Sequence, residues 1–152
     1  MKKITILTLA FVSTLLLGSV SADEKVDEEI SRFVETYIET FNKRKPLKSF
    51  FHFPNVWLVG DSVEPEILTD SSVPIVNYEN LVKTGWSHSK INELKIINAN
   101  TSRAFATIDF SRIDKNGKEI LRSKTMYTIA KKNDKWGLVL IASLTPFVKG
   151  TE

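Results

Sequence analysis

The clearest pattern in the chain lies between Asp23 and Lys45. Ile30, Phe33, Val34, Tyr37, Ile38 and Phe41 recur at the spacing of one face of an α-helix. Asp23, Glu24, Asp27, Glu28 and Glu29 crowd the first turns, and Lys43, Arg44 and Lys45 crowd the last, which complements the helix macrodipole at both ends. Pro46 is the expected stop. The pattern predicts one long amphipathic helix over 23–45. Phe50 to Val59 is aromatic and β-branched and predicts a strand, with Pro54 marking an edge or a bulge. Gly60 to Pro74 is irregular, with a short strand near Ile67. Asn77 is a helix cap. Tyr78, Leu81, Val82, Gly85 and Trp86 resume the helical period, so a second helix is expected to about Ser89.

Downstream the period changes to two. Strands are predicted over 93–98, 103–113, 119–131 and 136–144, joined by a turn at 98–101, by Asn116-Gly117 and by Asn133-Asp134. Taking the last two as two-residue turns sets a register. Phe110 then faces Ser123, Ile108 faces Thr125 and Ala106 faces Tyr127. Across the last hairpin Ile129 faces Leu138, Tyr127 faces Leu140 and Thr125 faces Ala142. Side chains alternate along a strand, so these residues share one face with Ala104, Leu121, Trp136 and Leu144. That is the core face, which both helices should cover. Its middle consists of the small residues Ala104, Ala106, Ser123, Thr125 and Ala142, which leave volume for aromatic side chains or for a ligand. The opposite face carries Phe105, Ile120, Met126, Val139 and Ile141, an apolar patch that a second subunit would cover. Asp109 falls there opposite Lys124, a cross-strand charge pair rather than a catalytic acid.

Composition narrows the chemistry. Hydrophobic residues make up 42% and charged residues 26% of the 152, the mix of a globular protein and not of a disordered one. There is no cysteine, which removes disulfides, thiolate ligands and cysteine nucleophiles. The two histidines, His52 and His88, are too few for a histidine-rich metal centre and read as surface residues, so neither a metal nor a cofactor is expected. Residues 1–22 have the form of a signal peptide. Lys2 and Lys3 precede the uncharged run Ile4 to Leu17, and Val20 and Ala22 fit a cleavage site before Asp23. The domain is therefore expected over 23–152, exported to a periplasm or secreted, with no membrane association after cleavage. Loss of Lys2 and Lys3 takes the formal net charge from +3 to +1, so the basic balance does not point to nucleic acid.

The element order is long helix, strand, short helix and four-stranded antiparallel meander. It ends in the basic turn Lys131-Lys132-Asn133-Asp134-Lys135, Trp136 and an apolar last strand. In this the chain resembles the nuclear transport factor 2-like superfamily, whose members include ketosteroid isomerase, scytalone dehydratase and SnoaL-like cyclases. The resemblance implies an α+β, cone-shaped fold. A strongly bent antiparallel sheet would be covered by one long N-terminal helix and one or two shorter helices, with dimers packed through the outer sheet face.

Three functions are compatible with these residues. In the preferred one, a small hydrophobic ligand binds inside the cone, with Tyr37, Trp57, Trp86 and Tyr127 as walls and Ser123, Thr125 and Arg112 as polar contacts. Arg112 turned inward would favour an anionic ligand. In the second, the resemblance implies isomerase or dehydratase chemistry, with Tyr37 as hydrogen-bond donor and Asp61 as base; this needs Asp61 within hydrogen-bond reach of a substrate. In the third, the cone is plugged by Trp57 and Trp86 and the homodimer acts through protein contacts alone.

Overall fold

A computed structural model describes residues 22–72 and 74–145. Apart from Ala22, the expected leader lies outside them. Helix α1 spans Ala22–Asn42. Its inner face is the one predicted, with Val26, Ile30, Val34, Tyr37 and Phe41 buried. The basic cluster lies just past its end. Arg44 adopts φ 55, its N–H returning to the Phe41 carbonyl and that of Lys45 to the Thr40 carbonyl. This C-terminal cap precedes Pro46, so the helix stops before the proline is reached.

A 3-10 turn at Lys48–Phe50 leads into β1, Phe51–Val59. Short β2 follows at Glu66–Leu68 and α2 at Tyr78–Lys83. The strands β3 (His88–Ala99), β4 (Arg103–Ile113), β5 (Glu119–Lys132) and β6 (Lys135–Ser143) complete the chain. They form one six-stranded sheet in the order β2-β1-β6-β5-β4-β3, antiparallel except where β1 runs parallel to β6. Asn77 caps α2 as expected, accepting from the Asn80 N–H. The helix is shorter than its periodicity predicted. Gly85 takes φ 90, a left-handed conformation that turns the chain out of the helix. Trp86 therefore enters the core, and His88 and Ser89 begin a strand.

Bulges bend the sheet. They sit at Asn92 and Ile97 in β3, at Ile120 in β5, at Val139 in β6, and in β1 around Pro54. Each adds a residue on one side of a ladder and sharpens the local twist. Two of them decide how the predicted register fares. The hairpin before β5 has a three-residue loop, not two: Asp114 pairs with Lys118, and Gly117 holds φ 83. The extra residue at Ile120 cancels the difference, so Phe110 faces Ser123 and Ala106 faces Tyr127 as predicted. Nothing cancels the bulge at Val139. Beyond it Tyr127 faces Ile141 and Thr125 faces Ser143, so Leu140 and Ala142 move to the outer face. Ile141, expected on the outer face, is 1% exposed in the core. Leu144, expected in the core, is exposed.

Side chains tie α1 to the last hairpin. The Glu29 carboxylate accepts from Lys131 Nζ at 2.8 Å and from the Trp136 indole at 2.9 Å. On the outer face Arg122 grips Asp109 through two hydrogen bonds of 2.9 and 3.0 Å. Asp109 thus sits opposite Lys124, as predicted, but its salt bridge runs diagonally to Arg122. Lys131 holds Glu29, and Arg122 holds Asp109, below the usual carboxylate range; hydrogen bonds from the Lys118 and Asn116 backbone do the same for Asp114. A depressed folded pKa contributes stability that is complete above the unfolded value, about 4, and is lost as pH falls through the folded one. Thermal melts should therefore be flat in mildly acidic buffer and fall below pH about 4. Glu29→Gln should make that fall shallower, and an unchanged acid slope would remove Glu29 from the account.

Gly137 has a different role. A Cβ there would lie 2.7 Å from the His52 ring, whose Nε2 contacts the Lys135 carbonyl at 3.0 Å. Gly137→Ala should displace the ring and break that bond, costing about 1 kcal/mol. Urea titration beside His52→Ala, which vacates the space, should show the penalty cancelled in the double variant.

Candidate functional site

The cone interior is mostly filled. Tyr37 packs edge-on against Phe50, Phe51 and Tyr127, with ring centroids 5.6 to 6.3 Å apart. Trp57 lies beside Phe51, its indole donating to Asn55, which in turn donates to the Leu138 carbonyl. Trp86 packs on Phe41 and Tyr78, with the Arg44 guanidinium 5.6 Å from its ring. Both tryptophans are buried, 3% and 2% exposed.

What remains is a cleft of about 20 Å³ at the mouth of the cone, between α1 and strands β3 to β5. Tyr37, Ile38 and Phe41 line it from the helix, Ser89 from β3, Phe110 and Arg112 from β4, and Tyr127 from β5. That volume holds a water or a small polar head group, not a whole drug-sized molecule. A larger open hollow of about 400 Å³ lies between the 44–48 and 71–78 segments. Its cations, Arg44 and Lys48, are exposed, so it has no buried charge to explain, and the chemistry is concentrated in the small cleft.

The alternation of β4 turns Arg112 inward after Ala104, Ala106, Ile108 and Phe110. It is 6% exposed, and its Nε has no hydrogen-bond partner. Burial lowers its pKa, and among the described residues no carboxylate lines the cleft beside it. The two phenols are also perturbed. Burial raises Tyr37 well above its usual value and raises Tyr127 strongly as well, so both stay protonated through the physiological range. Tyr78, half-buried against the helix, is pushed up to about 12. Ser89 is held firmly: its N–H donates to Asn42 Oδ1 at 2.7 Å, its carbonyl accepts from Asn42 Nδ2 at 2.8 Å, and its hydroxyl accepts from Trp86 Nε1 at 3.0 Å.

Of the residues predicted from sequence, the structure brings Tyr37, Arg112 and Tyr127 together. Trp57, Trp86, Ser123 and Thr125 are buried but do not line the cleft. Ser123 faces the Ser143 hydroxyl at 3.3 Å, and Thr125 Oγ1 has no partner. Asp61 is exposed in the turn after β1 and does not line the cleft that Tyr37 lines. Ser89 was missed because the chain there was read as helix. Of the expected outer patch, Phe105 and Met126 are 45% and 54% exposed on neighbouring strands, and Val139 is a half-buried bulge. Ile120 lies at the far end of β5 near Gly85, and Ile141 is in the core. Among the described residues no cluster of histidine and acidic side chains is arranged for a metal, and no helix is long and apolar enough to cross a membrane.

A long helix laid across a bent six-stranded sheet, with a cleft at the open end, defines an α+β domain of the cystatin-like cone type. The chain belongs to the family described as NTF2-like protein (DUF6841), whose model matches residues 27–146. No match was found among curated proteins. Solved structures of low identity share the fold. An NTF2-like protein of unknown function from Pseudomonas putida KT2440 is 10% identical with a TM-score of 0.57, over 82% of this chain and 92% of that one. An NTF2-like protein with a cystatin-like fold from Novosphingobium aromaticivorans is 12% identical with a TM-score of 0.55, over 78% and 80%. A nuclear transport factor 2-like superfamily protein from Salmonella enterica serovar Typhimurium is 18% identical with a TM-score of 0.50, over 80% and 92%. The family and the fold expected from element order and the terminal hairpin are thereby established.

Proposed function

We propose that this chain is an exported binding domain that holds a small, partly apolar molecule by its head in the cleft between α1 and β3–β5. One observation carries the reading: Arg112 lines an aromatic cleft at 6% exposure, and its buried Nε has no hydrogen-bond partner among the described residues. A buried charge is ordinarily paired, because desolvating it alone is expensive. A cleft kept at that cost is one that something else completes. Binding is favoured over isomerase or dehydratase chemistry because no lining side chain can act as a base while Asp61 stays in its exposed turn. No cofactor is invoked. The test is a fragment screen followed by amide chemical shifts. Binders should move the Tyr37, Ser89 and Tyr127 resonances first. Binders that leave those three untouched would overturn the reading.

A second reading concerns the outer face of the sheet. Phe105 and Met126 lie diagonally across β4 and β5, with the bulged Ile97 54% exposed beside Phe105. An exposed apolar surface of this kind is suited to a second copy of the chain, and homodimerisation through it is part of the proposal. The export of the domain rests on the sequence of residues 1–22.

A further inference from the structure

The polar side chains that line the cleft share one property: each can donate a hydrogen bond. Arg112 has donors only, and its Nε is buried with no acceptor in reach. Tyr37 and Tyr127 stand edge-to-face with ring centroids 6.3 Å apart, and burial keeps both phenols protonated, so each brings a hydroxyl proton to the cleft. Ser89 follows the same logic. Its oxygen accepts from the Trp86 indole, so its hydroxyl proton is available, while Asn42 occupies both its backbone groups. The remaining lining side chains, Ile38, Phe41 and Phe110, are apolar. No side chain in the cleft is an acceptor without a proton of its own.

We infer that the buried end of the ligand is a carboxylate, received by the Arg112 guanidinium with the Tyr127 and Ser89 hydroxyls, while an apolar tail rests on Ile38, Phe41 and Phe110 at the mouth. The inference rests on the cleft being a binding site and adds the chemical class of what it binds. A cation would meet Arg112 head-on. A neutral alcohol or amide would bring at most one good acceptor and leave the guanidinium charge uncompensated. A carboxylate supplies two acceptor oxygens and the missing charge, and its planar shape suits the guanidinium fork. At about 20 Å³ the cleft holds about one water, a space that one carboxylate oxygen takes while the rest of the molecule lies outside it. Asn42 is a positioning residue here, because its side-chain amide fixes the Ser89 backbone from the end of α1.

The experiment compares hexanoate, hexan-1-ol and hexylamine at neutral pH on the folded protein, by calorimetry and by the shifts of the Ser89 amide and the Arg112 Nε–H. Hexanoate should bind saturably, with the alcohol and the amine weaker by roughly tenfold or more. Arg112→Met should lose the preference, and Arg112→Lys, which keeps the charge without the fork, should recover part of it. If hexan-1-ol or hexylamine binds as well as hexanoate at these resonances, the cleft is a binding site but the carboxylate assignment is overturned. If none of the three gives a saturable shift there, the binding reading fails and the inference with it.

Discussion

Arg112→Met yields a protein that melts above the wild type and has lost its affinity for carboxylates. The two effects have one cause. In the free protein the Arg112 cation sits 6% exposed beside two neutral phenols, with no counter-ion among the described residues. Methionine keeps an unbranched stem of similar reach, packs against Phe41 and Phe110, and removes a charge that solvent barely reaches. Replacing a buried ion pair by apolar groups of similar volume is often neutral or stabilising by about 1–4 kcal/mol. Removing a cation whose Nε is buried without a partner should act in the same direction, and a gain of about 1 kcal/mol raises the melting temperature of a domain of this size by roughly 3–5 °C. Differential scanning calorimetry reads the first effect and hexanoate titration the second. Stability gained where function is lost is the signature of a residue kept for its ligand. A variant that melts lower would mean that Arg112 is paired within the folded chain, and the main support for the binding reading would be gone.

The second large effect separates two residues that the sequence placed on one face. Ile141→Ala should destabilise the fold by about 2–5 kcal/mol, the cost of a buried truncation. Met126→Asp should change the stability of the monomer by no more than about 0.5 kcal/mol, yet weaken self-association. The distinction follows from the bulge at Val139, which brings Ile141 opposite Tyr127 in the core and leaves Met126 54% exposed. Urea unfolding ranks the two losses, and sedimentation velocity shows which variant shifts toward monomer. Equal destabilisation by both would contradict the register. A dimer indifferent to Met126→Asp would remove the outer face as its interface.

These cases also mark where the sequence can be read and where it cannot. The α1 face was legible because burial imposes a 3.6-residue period over many turns, and one local irregularity does not erase it. The hairpin at Asn133-Asp134 was legible because both residues adopt positive φ, 51 and 57, as the tight turn requires. The β4–β5 register came out right through two departures that cancel, a loop one residue longer and the bulge at Ile120. The β5–β6 register failed past Val139 because a bulge leaves no mark in an apolar run: Val139, Leu140 and Ile141 suit either face. A one-residue slip then exchanged core and surface.

The site divides the same way. Tyr37, Arg112 and Tyr127 could be placed from periodicity, since each lies on a regular stretch of helix or strand. Ser89 could not, because its position depends on α2 ending at Lys83 and on the turn at Gly85, and the helical period of Tyr78, Leu81 and Val82 carries on in the sequence past that point. The small residues of β4 and β5 did leave volume, as expected. Buried aromatic side chains, Tyr37, Phe51 and Trp57 among them, pack on one another in the interior, and a narrow cleft remains instead of a deep pocket.

Native mass spectrometry of the wild type and of Arg112→Met, each equilibrated with hexanoate, decides whether Arg112 receives the ligand. One hexanoate per wild-type protomer and none on the variant is the expected result. Equal adducts on both proteins, or none on either, would contradict it.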